Sequence, residues 1–203
     1  MEQQHYFRTP SGPAETRELD VTLAGRELTL HTAGGVFSGD RLDLGTRVLF
    51  REVPPPPPGD VLDLGCGWGP VAITQALLQP DATVWAVDVN ERALALTTEN
   101  AGRAGVRVRA VRPDDVPDDV RFAAIWSNPP IRIGKAELHA LLLRWLPRLV
   151  PGGQAHLVVQ RNLGADSLHA WLAGELGDGW SVVRAGSAKG YRVLRVTRGP
   201  GQG

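Results

Sequence analysis

From residue 60 onward, short runs in which nearly every position is apolar alternate with longer stretches in which apolar side chains return every three or four residues. The first pattern belongs to strands buried on both faces, the second to helices with one buried stripe. The spacing predicts strands over 60–65, 83–89, 106–111, 122–127 and 155–160, and helices over 70–79, 91–102 and 136–149, the last stopped by Pro151-Gly152-Gly153. A further helix runs to Leu176 with Asp166 as its cap, and 180–184 and 191–197 pair as a terminal hairpin across a turn from Gly186 to Gly190. Strand alternating with helix predicts an α/β domain around a doubly wound, mostly parallel seven-stranded sheet, to which the hairpin adds an antiparallel C-terminal edge.

Ahead of this body stand five consecutive prolines, Pro54 to Pro58, closed by Gly59. They can form neither helix nor central strand, so 54–59 reads as a stiff linker between an N-terminal extension, 1–53, and the main domain, 60–203. Within the extension, 19–22 and 27–32 alternate around Ala24-Gly25 as a small β-hairpin, and 44–53 reads as a short helix. Some fifty residues of this kind bury no core of their own, so the extension is expected to pack on the body.

Composition narrows the function classes. Twenty-two basic and twenty-two acidic residues cancel, which excludes both a polycation and an acidic disordered tail. The single cysteine, Cys66, forms no internal disulfide, and no Cys/His cluster has metal-ligand spacing, so no metal is expected. The N-terminus has no apolar signal core, and no apolar run approaches the roughly 18 residues of a membrane span. A soluble, cytoplasmic protein is expected.

The sharpest motif is Asp63-Leu64-Gly65-Cys66-Gly67-Trp68-Gly69, which closes the first strand of the body and opens a helix at Pro70. At that turn the carboxyl edge of such a sheet binds ligands, and glycines admit a ligand that any Cβ would hold off. G-x-G-x-G is tighter than the G-x-G-x-x-G of dinucleotide binders and favours a small zwitterionic ligand over a pyrophosphate. Twenty-five residues after Asp63, the next strand ends in Asp88-Val89-Asn90. A carboxylate there binds the two hydroxyls of a ribose, while Asn90 serves as cap of the following helix. This combination resembles the class I S-adenosylmethionine-dependent methyltransferases over about residues 60 to 198, a Rossmann-like fold. The resemblance implies S-adenosyl-L-methionine as cofactor: Gly65 and Gly67 facing its methionine part, Asp63 orienting the loop and the cofactor amine, Asp88 on the ribose, and Asp114 or Asp115 meeting the adenine amine.

The fourth strand ends in Ser127-Asn128-Pro129-Pro130-Ile131. Two prolines after a buried strand fix an extended backbone that lacks amide donors, leaving their carbonyls free to point elsewhere. The strand's carboxyl end neighbours that of the first, so Asn128 is expected beside the transferable methyl. An aromatic exocyclic amine is a poor nucleophile because its lone pair is delocalised. Accepting its two N–H bonds, on the Asn128 side-chain oxygen and the Pro129 carbonyl, favours a tetrahedral nitrogen able to attack, and positioning carries most of the rate. The N-P-P motif is similar to that of methyltransferases acting on planar amines in adenine, guanine or glutamine. Together with Gly34-Gly35-Val36-Phe37-Ser38, Asp43-Leu44-Gly45-Thr46 and Lys189-Gly190-Tyr191-Arg192-Val193, it resembles the small-domain family of ribosomal RNA guanine-N(2) methyltransferases over about residues 5 to 197. That resemblance implies an RNA substrate, a cofactor contact at Thr46, and target contacts at Phe37, Pro130, Ile131 and Arg132. Three departures stand out: Ile131 occupies the place of a stacking aromatic, Ala123 stands where an acid is common, and Arg112-Pro113 displaces the acid after the third strand. Basic side chains cluster at 131–161 and 184–198, as phosphate contacts or as solvated faces. Adenine, a protein glutamine or a small amine remain as other acceptors, and a module that binds cofactor without catalysis remains as a rival on the same fold.

Overall fold

The computed structural model describes residues 15–36 and 41–201, apart from the Arg132 side chain. In chain order the elements are Thr16–Leu23 (β1), Arg26–Ala33 (β2), Leu44–Glu52 (α1), Gly59–Leu64 (β3), Pro70–Leu78 (α2), Ala82–Val87 (β4), Glu91–Ala104 (α3), Arg109–Val111 (β5), Phe122–Ser127 (β6), Lys135–Trp145 (α4), Leu149–Gln160 (β7), Ala165–Glu175 (α5), Trp180–Ala188 (β8) and Tyr191–Arg198 (β9).

β3 to β9 form one seven-stranded sheet in the order β5-β4-β3-β6-β7-β9-β8. The first five of these neighbours run parallel, and β9 runs antiparallel to both β7 and β8. The antiparallel strand is therefore one in from the edge. β8 arrives by a crossover through α5 and takes the outer place, and its hairpin partner folds back into the gap beside β7.

Helices cover both faces. Leu138, Leu142 and Trp145 of α4 and Leu168 and Leu172 of α5 pack with Phe122, Ile125 and Leu157 on one side. Val48 and Leu49 of α1 and Val71 and Ala72 of α2 pack with Val61, Trp126 and Val158 on the other. The β1–β2 hairpin, a separate two-stranded sheet, sets Leu23 and Leu30 against Trp68, Ile73 and Leu96. The extension thus completes the core of the body, as a segment too small for its own core must.

Three local expectations are corrected. The helix expected over 136–149 ends at Trp145, because Pro147 removes a donor and Leu146–Arg148 tightens into a 3-10 turn. Pro151 to Gly153 lie inside β7, at a register shift against β6 between Phe122 and Ala124. A Cβ on Gly153 would come within 2.9 Å of the Val150 carbonyl oxygen, so the irregularity needs glycine. Asp166 does not cap α5: the cap is Gly164, at φ +101°, and the Asp166 carboxylate pairs with Arg184 and Arg192 from the terminal hairpin. The turn of that hairpin is the pair Lys189-Gly190, both left-handed, while Gly186 sits within β8.

Candidate active site

β3 delivers the glycine loop to the carboxyl edge of the sheet. The amides of Gly65 and Cys66 both donate to the Val87 carbonyl at the end of β4, at 2.8 and 3.1 Å. The Gly67 amide donates to Asp88 Oδ2 at 3.0 Å, and the Asn90 amide to Asp88 Oδ1 at 2.9 Å. One carboxylate therefore splices the loop after β3 to the loop after β4. Asn90 caps α3 by accepting from the Arg92 amide, which frees Asp88 from that duty. Gly65 and Gly67 have φ of +82° and +57°, which turn the backbone toward the edge. The third glycine serves packing: a Cβ on Gly69 would press Thr97 of α3 at 3.0 to 3.2 Å.

Asp63 is buried, and among the described residues one donor reaches its carboxylate, the Ala72 amide in the first turn of α2, at 2.9 Å. Burial pushes its carboxyl up to about 8, against the pull of that amide, and neighbouring Asp88 adds to the rise. Asp88 is raised as well, by burial, against the backbone N–H groups of Asn90, Gly67 and Val89. The buried Cys66 thiol is pushed up by burial and then by these two acids, which makes it an inert neutral group here.

On the other side of β3, β6 ends at the same level. The β3–β6 register pairs Asp63 with Trp126, and the Ser127 hydroxyl donates to the Leu64 carbonyl at 2.6 Å, so Asn128 emerges beside Gly65. Its carboxamide Nδ2 donates to Asp43 Oδ2 at 2.7 Å and to Thr46 Oγ1 at 3.2 Å. A narrow space of about 20 Å³ joins Asn128, Thr46 and Asp43 to Asp63, Gly65 and Gly67. It adjoins, through Gly65, a largely apolar cleft of about 360 Å³ lined by Asp88, Val89, Pro113, Pro130 and Ile133. The edge thus carries a roomy, largely apolar chamber with Asp88 on its wall and a tight polar throat lined by Asp43 and Asp63.

This division fits S-adenosyl-L-methionine. A buried carboxylate with a single protein donor, facing a cavity, suits a cation; a carboxylate over an apolar chamber suits a ribose whose base is stacked on aliphatic walls. A Cβ on Gly65 would lie 3.9 Å from Pro130 Cδ, in the gap between loop and N-P-P turn that a ligand needs.

The sequence-derived candidates divide accordingly. Asp63, Gly65, Gly67, Thr46 and Asn128 meet in the throat, and Asp88 and Pro130 in the chamber. Asp114 is exposed and its carboxylate is engaged by Arg144 at 2.8 Å; the chamber takes Pro113 and Arg144 from that corner. The proline carbonyls are not both idle, which corrects the expectation that they are free: Pro129 O accepts from the Ile131 amide at 2.8 Å and Pro130 O from the Ile133 amide at 3.1 Å. The tight turn after the motif brings those donors round, and each carbonyl keeps one lone pair. Ile131 packs against the core beside α4. Phe37 lies outside the described residues, as does the side chain of Arg132. Of the basic stretches, Arg148 and Arg198 bond main-chain carbonyls of Val120 and Leu149 near the opposite edge, whereas Arg161 and Lys189 are exposed at the site's edge.

Two residues of the site carried no assigned role in the sequence. Asp43 stands in the DLGT motif as an ordinary helix cap, and Tyr191 in the KGYRV motif as an ordinary strand residue. Tyr191 is half-buried against Gly45, and its hydroxyl is raised by burial and by the nearby Asp43 carboxylate. The only sequence signal for either was the recurrence of those short motifs. Among the described residues no group of acids, histidines or cysteines could hold a metal ion, and no helix is long and apolar enough to cross a membrane.

Residues 27–195 match the family described as methyltransferase small domain. An uncharacterized protein of Bacillus subtilis, YbxB, is 34% identical over 203 residues, spanning 98% of this chain and all of that protein. Ribosomal RNA small subunit methyltransferase C of Pseudomonas entomophila is 33% identical over 187 residues, 89% of this chain and 54% of its own length. A solved T. thermophilus 16S rRNA N2 methyltransferase, in complex with AdoMet and guanosine, superposes with a TM-score of 0.73 at 25% identity, covering 93% of this chain and 52% of that one. The chain therefore spans the whole of one relative and about half the length of the two rRNA methyltransferases.

Proposed function

The chain belongs to the methyltransferase small domain family, whose members use S-adenosyl-L-methionine, and on that premise we propose that it methylates the exocyclic amine of guanine in ribosomal RNA. The observation that carries this reading is the shared throat: the Asn128 carboxamide and the Gly65–Gly67 loop line one narrow space. The N-P-P motif supports a planar amine as acceptor, the guanosine-bound relative supports guanine N2, and the rRNA methyltransferases that the chain resembles support an RNA substrate.

In this reading residues 60–203 are the catalytic domain, 54–59 the linker, and 1–53 an extension whose α1 reaches the site. The cofactor, when bound, supplies an electrophilic sulfonium methyl. Asp63 holds the cation of the methionine end and the Gly65 and Gly67 backbone lies against it. Asp88 accepts the ribose hydroxyls, while Pro113 and Pro130 wall the base. Asp114 takes the adenine amine only by leaving Arg144. Asn128 Oδ1 accepts one N–H of the acceptor and the remaining lone pair of Pro129 O the other, which localises the nitrogen lone pair toward the methyl. No general base is required, because the amine sheds its proton to solvent after transfer. A target in structured RNA must be extruded to reach this throat. Phe37 and Arg132 are assigned to the target by the family resemblance alone, and Ile131 offers it apolar contact. Cytoplasmic rRNA, free or in an assembled particle, is the expected setting.

The test is to map methylated nucleosides in ribosomal RNA from cells with and without the protein, alongside transfer from labelled cofactor to RNA, protein and metabolite fractions. Loss of one N2-methylguanine supports the reading. Label in adenine, glutamine or a small amine would replace the acceptor, and no transfer in any fraction would leave a binding module.

A further inference from the structure

We propose that Asp43 is a positioning residue that fixes which end of the Asn128 carboxamide faces the acceptor; this deepens the reading above and rests on it. The two ends of a carboxamide are nearly identical in shape, so only the neighbours decide which is presented. Asp43 Oδ2 lies 2.7 Å from Asn128 Nδ2, and Thr46 Oγ1 lies 3.2 Å from the same nitrogen. Asp43 Oδ2 also accepts from the amides of Gly45 at 2.7 Å and Thr46 at 3.2 Å. A carboxylate has no proton to give when ionised. Rotating the carboxamide would set Oδ1 against it and exchange a charge-assisted hydrogen bond for contact between two acceptors. The amide nitrogen is thereby committed to α1, and Oδ1 is the end left for a donor. A site built this way selects an N–H group and disfavours one that presents a lone pair.

The cap is itself held in place. A Cβ on Gly45 would come within 2.9 Å of both Asp43 Oδ2 and Tyr191 Cε1, so the first turn of α1 is closed against Tyr191 with no slack for the carboxylate to withdraw. The contact joins residues 85 apart in sequence, one from the extension and one from the N-P-P motif. The extension thus contributes to chemistry as well as to packing.

The experiment compares Asp43→Ser, Asp43→Asn, Asn128→Ala and the double variant Asp43→Ser/Asn128→Ala, in single turnover on ribosomal RNA from cells lacking the protein. Serine caps a helix about as well as aspartate but is too short to reach Asn128, whereas asparagine caps and reaches. The expected result is a fall in the single-turnover rate constant of about 10- to 100-fold for Asp43→Ser with cofactor affinity within about twofold, a misplacement effect. Asp43→Asn recovers most of that loss, and Asp43→Ser has no further effect once Asn128 is alanine. Should Asp43→Ser fail to fold, Thr46→Val removes the second acceptor and leaves the cap, with a smaller fall that also vanishes in the Asn128→Ala background. A wild-type single-turnover rate in Asp43→Ser, or equal falls with and without Asn128, overturns the positioning role alone. Wild-type transfer by Asn128→Ala overturns the underlying reading instead.

Discussion

The two ends of the candidate site are built by different means. The loop beside β4 is made of backbone turns and two acids twenty-five residues apart, Asp63 and Asp88, of which Asp63 is buried with one protein donor while Asp88 is held by backbone amides of both loops. The throat beside β6 is made by side chains that meet only through the tertiary fold, with α1 supplying Asp43 and Thr46, β6 supplying Asn128 and β9 bringing Tyr191 alongside. One end is poised to hold a cation and a ribose. The other aims a single acceptor atom. The lesson is that binding and chemistry here are separable, and each can be damaged without the other.

The largest expected effect is on chemistry. Asn128→Ala should lower single-turnover methyl transfer by about 10²- to 10³-fold, the scale of losing a positioned hydrogen-bonding group that acts on developing charge. Next is binding: Asp88→Ala removes the splice between the two loops and the ribose acceptor together, and calorimetry should show cofactor affinity about 100-fold weaker. That loss stays mostly in KM.

Asp63 sharpens the contrast through pH. With its carboxyl raised to about 8, the empty site is mostly protonated at neutral pH, and a cationic ligand favours the ionised form. Affinity should rise about tenfold between pH 6 and pH 7, with proton uptake by buffer during titration, and turn over near pH 8 as the ligand's own amine loses its charge; Asp63→Asn should flatten the rising limb. A flat profile in the wild type would remove the cation-binding role. The same group affects stability: it binds its proton more tightly folded, at about 8, than unfolded, at 3.8, so its contribution is full at low pH and is lost as pH rises through that window.

His156 tests a region remote from both ends, and its effect has the opposite sense. Burial and then Arg195 lower its imidazole from 6.5 to about 4, so the folded state resists protonation and stability is lost as pH falls from about 6.5 toward 4. Thermal unfolding of His156→Gln should show a shallower acid limb, with methyl transfer at neutral pH unchanged. The smallest effect belongs to Asp114→Ala. Its carboxylate is exposed and paired with Arg144, so cofactor affinity should shift by less than about threefold.

Legibility in the sequence followed the same division. The glycine loop and Asp88 were readable because a G-x-G-x-G turn after a buried strand, and an acid after the next, are local signals whose partners sit on adjacent strands. Asn128 was readable because two prolines mark the end of β6. The Asp43 contact was not, since an aspartate before a short helix already has a sufficient explanation as its cap. The misread helix ends have a like cause: Pro151-Gly152-Gly153 is a strong stop signal taken alone, but Pro147 acts first and β7 absorbs the glycines at a register shift. At Asp166 the arginines of the terminal hairpin outcompete a helix terminus for the carboxylate.

Separability is tested most directly by titrating S-adenosyl-L-methionine into Asn128→Ala. An affinity within about threefold of the wild type is expected, because that carboxamide serves the acceptor. Weakening of cofactor binding in proportion to the lost methyl transfer would contradict it and make Asn128 part of the cofactor's own seat.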